Sequence, residues 1–173
     1  MPLVQEREAR QLGAMMIMQA AILLRLPSQA SACALSIFHR FYYSSSFFEC
    51  DVHLFSMASL FLAAKLEETP RKYKDVISVF DIVKKQFAGL ALEAFDLKSY
   101  ALLDVKEKMM DSERMLIKNL GFQMQLISHT TTHKHLVKIV TTCCITSKEL
   151  LQKAWTLAND SYLGPLCVLF PPS

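Results

Sequence analysis

The apolar residues at the start of this chain recur at the spacing of an amphipathic helix. Between residues 6 and 24 they fall three and four positions apart, at Leu12, Met15, Met16, Ala20, Leu23 and Leu24. This repeat predicts a helix, which Pro27 ends because proline cannot continue it. A second helix is predicted to begin at Ser28, taken as its N-cap residue, and to run to about Tyr43.

The same spacing predicts three further helices, over residues 51–66, 72–87 and about 97–120. The third helix is predicted to be the most buried, because small residues let neighbouring helices approach closely. These residues are Ala58, Ser59, Ala63 and Ala64. Gly121 follows the fifth helix at the position where glycine commonly closes a helix.

The remaining residues predict two more helices, over 133–144 and 147–162. Two helices cannot enclose a hydrophobic core of their own. We therefore expect them either to dock onto the preceding helices or to lack their packing partners. The whole pattern predicts an all-α protein.

Composition narrows the class of protein further. The 173 residues are 52% hydrophobic with only 4 glycines, which excludes a disordered chain and argues against β-rich or doubly wound folds. The net charge of +3 is spread along the chain, so no nucleic-acid-binding surface is evident. The five cysteines lack paired CxxC spacing, which indicates reduced thiols. No apolar run reaches the roughly 20 residues of a membrane span.

Several sequence segments, in order and at matching separations, resemble the cyclin family. They are the FHRFY segment at 38–42 with Ser46 and Phe47, FLAAKLEETP at 61–70, Ser-Glu-Arg at 112–114 and Leu-Gly-Phe at 120–122. Within the family the chain is most similar to L-type cyclins of the transcription and RNA-processing group. That similarity is carried by AILLRLP at 21–27, by Pro-Arg-Lys at 70–72 with DVISVF at 75–80, and by Ala-Trp and Ala-Asn-Asp-Ser at 154–155 and 158–161.

The resemblance implies a five-helix cyclin box over residues 1–125 and the start of a second repeat over 126–173, which stops after about two of five helices. It implies a regulatory subunit that binds and activates a cyclin-dependent protein kinase and has no enzymatic activity of its own. L-type cyclins imply a nuclear role in transcription by RNA polymerase II and in pre-mRNA processing. The resemblance implies no cofactor, metal, small-molecule substrate or membrane.

Two charged residues match family positions that contact the kinase backbone beside its mobile αC helix. They are Lys65 and Glu113, and both lie in apolar surroundings where a charge ordinarily needs a partner. Four neighbours are expected to line the same groove, namely Phe61, Leu66, Thr69 and Met110. The structural alternatives are an ion pair of Lys65 with Glu67 or Glu68, a pair of Glu113 with Lys106 or Lys118, and core packing for the four neighbours.

Other interpretations stay open at this stage. The chain could be a cyclin-fold transcription factor that binds promoter DNA, or an isoform that binds the kinase without activating it. A zinc site is conceivable from His129, His133 and His135 with Cys143 and Cys144, and a hydrolase from the serines at 44–46 with His39 or His53. Arg71, Lys72 and Lys74 form a basic cluster suited to a solvated helix start or, as the resemblance implies, to a kinase or phosphate contact.

Overall fold

The computed structural model describes residues 3–91, 100–122, 132–143 and 147–170. Within these ranges every regular element is a helix, which confirms the all-α prediction. The helices are α1 Leu3–Leu23, α2 Ser28–Ser44, α3 Val52–Leu66, α4 Tyr73–Phe87, α5 Tyr100–Asn119, α6 Thr132–Thr142, α7 Lys148–Ser161 and α8 Leu166–Leu169. None of the helices described is long and apolar enough to cross a membrane.

Helix α3 is the centre of the core, as its small residues predicted. It packs against α1, α2, α4 and α5, and every residue from Phe55 to Ala64 is buried. Ala58, Ser59 and Ala63 are fully buried, so the neighbouring helices approach the α3 backbone closely. Because α3 runs through the middle of the core, its last turn is held in place by the surrounding helices.

The helix ends follow local capping chemistry, with one correction. The Asp51 carboxylate accepts hydrogen bonds from the His53 and Leu54 amides at 2.7 and 3.3 Å and so caps α3. The prediction that Ser28 caps α2 is wrong, because Pro27 occupies the cap and Ser28 is already helical. Gly121 has a φ of 61° after α5, as predicted for a closing glycine.

Two residues of the predicted apolar stripes are exposed instead of buried. They are Leu23 and Phe87, which the same repeat assigns to the apolar sides of the first and fourth predicted helices, and each is the last residue of its helix. The buried side of α1 instead includes Ala14, Ile17 and Ala21, which the three-and-four repeat had not singled out. The periodicity therefore identified the helices more reliably than the limits of their buried faces.

A buried histidine joins the last described segment to the first helices. His39 on α2 is fully buried, and its Nε2 atom lies 2.9 Å from the carbonyl oxygen of Tyr162, which directly follows α7. Since a carbonyl only accepts, Nε2 carries the proton and donates it. Helix α8 also packs against α2. Both expected outcomes are therefore observed: Tyr162 and α8 dock onto α2, whereas Ile139 of α6 and Leu150 and Leu157 of α7 stay exposed.

Arg10 lies beside this contact and is buried despite its charge. Its guanidinium donates to the carbonyl oxygens of His39 and Tyr42 at 3.4 and 3.1 Å and pairs with Glu6 at 3.0 Å. It also lies over the rings of Tyr43 and Phe47, 5.7 and 5.2 Å from their centroids. These partners replace the water that the charge would otherwise require.

Gly13 marks a point of close approach between α1 and its neighbours. A Cβ atom there would overlap the Phe38 ring and lie 2.9 Å from Ser56 Oγ. We expect Gly13→Ala to lower the free energy of unfolding by about 2 kcal/mol, because the overpacking cost exceeds the gain of about 1 kcal/mol in helix propensity. Urea unfolding followed by circular dichroism measures the change.

Gly164→Ala is the matched control, since a Cβ atom there meets nothing within 4 Å. It should leave the unfolding midpoint nearly unchanged. Adding Phe38→Leu to Gly13→Ala should recover part of the lost stability by opening space. A Gly13→Ala chain more stable than the parent would contradict the close approach.

Candidate partner-binding site

The two charged residues singled out in the sequence meet where α3 packs against α5. Lys65 lies in the last turn of α3, where a cation is favoured by the helix dipole, and Glu113 lies in the second half of α5. The Lys65 Nζ atom is 2.7 Å from Glu113 Oε1 and 2.9 Å from Oε2. One ammonium therefore bonds both oxygens of one carboxylate, across 48 positions of sequence.

The two side chains differ in how much water they meet. The Lys65 side chain is 43% exposed, whereas that of Glu113 is 11% exposed. The carboxylate is thus held at the edge of the core and the ammonium lies outside it. The pair is accessible from one side, so a second molecule can reach it.

The pairing differs from both structural alternatives. The sequence alone also allows ion pairs of Lys65 with Glu67 or Glu68 and of Glu113 with Lys106 or Lys118, which are nearer in sequence. Packing of α3 on α5 instead brings Lys65 and Glu113 together. The spacing of charges along the sequence does not predict this contact between two helices.

The expected neighbours take different positions around the pair. Phe61 is buried one turn before Lys65, and its ring centroid is 4.0 Å from Nζ. Leu66 is partly buried and packs against the core. Met110, also partly buried, lies one turn before Glu113 on α5.

Thr69 lies in the turn that closes α3. Its amide donates to the Ala64 carbonyl at 2.9 Å, and the Glu68 amide donates to the Lys65 carbonyl at 3.2 Å. Glu68 adopts a φ of 54°, so a non-glycine residue occupies the left-handed position of this helix-ending motif. The turn fixes where Thr69 stands relative to Lys65.

Arg71 has a structural role that the sequence had not suggested. Its Nε and NH2 atoms donate to the carbonyl oxygens of Leu24 and Arg25, both at 3.1 Å, just past the end of α1. Those carbonyls have no partner within their own helix, so the guanidinium satisfies them. This use of its donors favours a structural role for Arg71 over a phosphate contact.

The remaining sequence hypotheses gain little from the geometry. His39 faces the Tyr162 carbonyl and His53 Nδ1 lies 3.1 Å from Met16 Sδ, so neither contacts a serine hydroxyl in the part of the chain described. For the zinc hypothesis, His129 and Cys144 lie outside the described residues. No group of three potential ligands occurs among the residues that are described.

The family model and the curated relatives that match this chain indicate the same family. Residues 2–125 match the domain described as Cyclin, N-terminal domain. Cyclin-L1-1 of Oryza sativa subsp. japonica is 37% identical over 166 residues, which cover 95% of this chain and 38% of that protein. Cyclin-L1 of Homo sapiens is 36% identical over 171 residues, which cover 98% of this chain and 32% of that protein. The chain thus spans about a third of the length of these curated relatives.

A solved structure shares the fold. A chain in the crystal structure of the yeast RNA Pol II CTD kinase CTDK-1 complex aligns with a TM-score of 0.82 at 14% sequence identity. The alignment covers 96% of this chain and 51% of that chain. At this identity the likeness concerns the fold alone.

Proposed function

Because this chain belongs to the cyclin family, we propose that it is a regulatory subunit of a cyclin-dependent serine/threonine protein kinase. Its similarity to L-type cyclins over most of its length supports a role in transcription by RNA polymerase II and in pre-mRNA processing, within the nucleus. In this proposal residues 1–125 form the cyclin box and residues 126–173 begin a second repeat. The chain itself performs no phosphoryl transfer.

The observation that carries the proposal is the Lys65–Glu113 pair at an accessible edge of α3 and α5. An ammonium has three N–H donors, and the two carboxylate oxygens of Glu113 use two of them. Among the residues that the structure describes, one donor therefore remains, together with unused lone pairs on the carboxylate. A hydrogen-bond donor beside an acceptor can bind the main chain of another protein, because every main chain offers carbonyl acceptors and amide donors whatever its side chains are.

In the proposed mechanism the kinase changes conformation on binding, whereas the cyclin keeps its conformation. The pair and its neighbours hold the kinase αC helix where its glutamate pairs with the ATP-contacting lysine. Moving a kinase from 1% to 99% in that state requires roughly 5.5 kcal/mol of differential binding. A single contact seldom supplies that much, so Leu66 and Met110 are proposed to add apolar contact beside the charged pair.

Reconstitution with purified transcriptional cyclin-dependent kinases tests this function. We expect the chain to co-purify with one of them and to raise its phosphorylation of a substrate peptide by at least about tenfold, because αC positioning controls activity. Binding is measured by calorimetry and activity by phosphate incorporation. Stable association without stimulation would overturn the activator role and identify a competitor of complete cyclins.

Two controls accompany the reconstitution. The double variant Asp104→Ala with Lys108→Ala removes an exposed ion pair from the same α5 helix and should leave activation unchanged. Binding to promoter DNA is measured in parallel at two salt concentrations. DNA binding that weakens steeply with salt, without kinase association, would replace the proposal with a transcription-factor function.

A further inference from the structure

Within the described ranges, Lys65 contacts one charged group, Glu113, and one aromatic ring. Phe61 lies four residues earlier on α3, which places it one turn below Lys65 on the same face. The Nζ atom lies 4.0 Å from the centre of the Phe61 ring, well within the distance at which an aromatic face attracts a cation. The ammonium thus lies against both an aromatic ring and a carboxylate of its own chain.

The burial of the two side chains separates their roles. Phe61 is 6% exposed, whereas the Lys65 side chain is 43% exposed. A ring that is almost completely covered offers little surface to a visiting protein. Its contact with the ammonium, in contrast, is direct and is already made in the chain alone.

We propose that Phe61 is a positioning residue, which fixes the Lys65 ammonium for its partner and does not itself contact the kinase. This inference rests on the proposed function and revises the expectation that Phe61 lines the groove directly. Helical side chains lean toward the N-terminus of their helix, so Lys65 lies back over the ring. The ring restricts the flexible four-carbon stem and holds Nζ beside Glu113. A partner then meets an ammonium that needs no further ordering.

The contact can be observed without any kinase. Protons above an aromatic ring are shifted upfield in NMR spectra, so the ε-methylene protons of Lys65 should resonate upfield of those of exposed lysines. In Phe61→Leu this displacement should disappear. Lys65 resonances at the ordinary position in the parent chain would overturn the proposal.

A double-mutant cycle then separates positioning from direct contact. Phe61→Leu should weaken kinase binding by about fivefold, the size of a cation–π interaction at a partly exposed site. In a Lys65→Met background the same change should have almost no effect, because no ammonium is left to position. Equal losses of kinase affinity in both backgrounds would show that the ring contacts the kinase directly, and they would overturn the proposal. An unchanged affinity of Phe61→Leu in the parent background would overturn it as well.

Phe55→Leu is the matched control for lost core packing. Phe55 is another buried phenylalanine of α3 and stacks on Phe41, with ring centroids 4.4 Å apart. It should reduce stability without moving the Lys65 resonances.

Replacing Phe61 by pentafluorophenylalanine keeps the ring shape but reverses its charge distribution, and it should lower kinase affinity as Phe61→Leu does. Unchanged affinity of this variant would overturn the cation–π basis of the proposal.

Failure of this inference and failure of the proposed function give different results. If Lys65→Met binds the kinase as tightly as the parent chain, the proposed function of the pair fails. The NMR displacement would still report whether Phe61 holds the ammonium. If Lys65→Met weakens binding while Phe61→Leu does not, the function stands and the positioning role fails.

Discussion

Replacing Lys65 by glutamate is expected to weaken kinase binding by at least about a hundredfold. The change removes the available donor and sets a second carboxylate against Glu113, whose oxygens now lie 2.7 and 2.9 Å from the ammonium. The like charges must then separate, which distorts the edge between α3 and α5. The milder double variant Lys65→Ala with Glu113→Ala should lose at least tenfold, about 1.4 kcal/mol. Calorimetric titration of the kinase measures both affinities.

The charge-swapped chain separates binding from folding. Lys65→Glu combined with Glu113→Lys restores an ion pair and should return the unfolding midpoint most of the way to that of the parent. Kinase affinity should stay low, because donor and acceptor have exchanged places. The same exchange of Asp104 and Lys108 on the exposed face of α5 should alter neither quantity. If the swapped chain binds normally, the pair acts on the fold alone.

Acidification is expected to destabilise the chain through His39. The pKa of this imidazole is lowered to about 4, mainly by burial; the bond to the Tyr162 carbonyl opposes the lowering and the nearby Arg10 guanidinium adds to it. In the unfolded chain the pKa of histidine is about 6.5, so below that pH the unfolded state binds a proton while His39 in the folded state stays neutral. This contribution to stability is complete above pH 6.5 and is lost as the pH falls toward 4, by about 3 kcal/mol.

His39→Gln identifies the source of the acid sensitivity. The glutamine amide can still donate to the Tyr162 carbonyl but does not titrate, so the variant should lose less stability between pH 7 and pH 4.5. His53 is half-buried and its pKa is also lowered by burial, so His53→Gln should change the pH slope in the same direction but less. Urea unfolding at the two pH values gives the slopes. Parallel pH slopes for the parent and His39→Gln would contradict the assignment.

Helical periodicity predicted most of the fold because it reports which side of a helix is buried. The seven predicted helices correspond to α1 through α7, with ends shifted by a few residues at most where both ends are described. Helix α8 was missed because its four residues, from Leu166 to Leu169, are too few for a periodic pattern to appear. Leu23 was misplaced because a terminal residue can satisfy the repeat and still extend past the core.

The candidate site was predictable only in part. Lys65 and Glu113 stood out as charges in apolar segments, but their pairing depends on how α3 packs against α5, which neither segment encodes alone. The buried Arg10 and His39 were not recognised as partners for the same reason, since they meet through the fold. Arg10 also escaped notice because the repeat was placed on Leu12 and Met16, whereas Arg10 shares the true buried side of α1 with Ala14 and Ile17.

The bidentate ion pair also has a kinetic consequence. Opposite unit charges 2.7 Å apart form a small dipole, whose field fades within a short distance in salt water. The pair therefore does little to attract a molecule that is still diffusing toward the surface, and its influence begins at contact. Substitutions at the pair should thus change how long a complex survives much more than how often it forms.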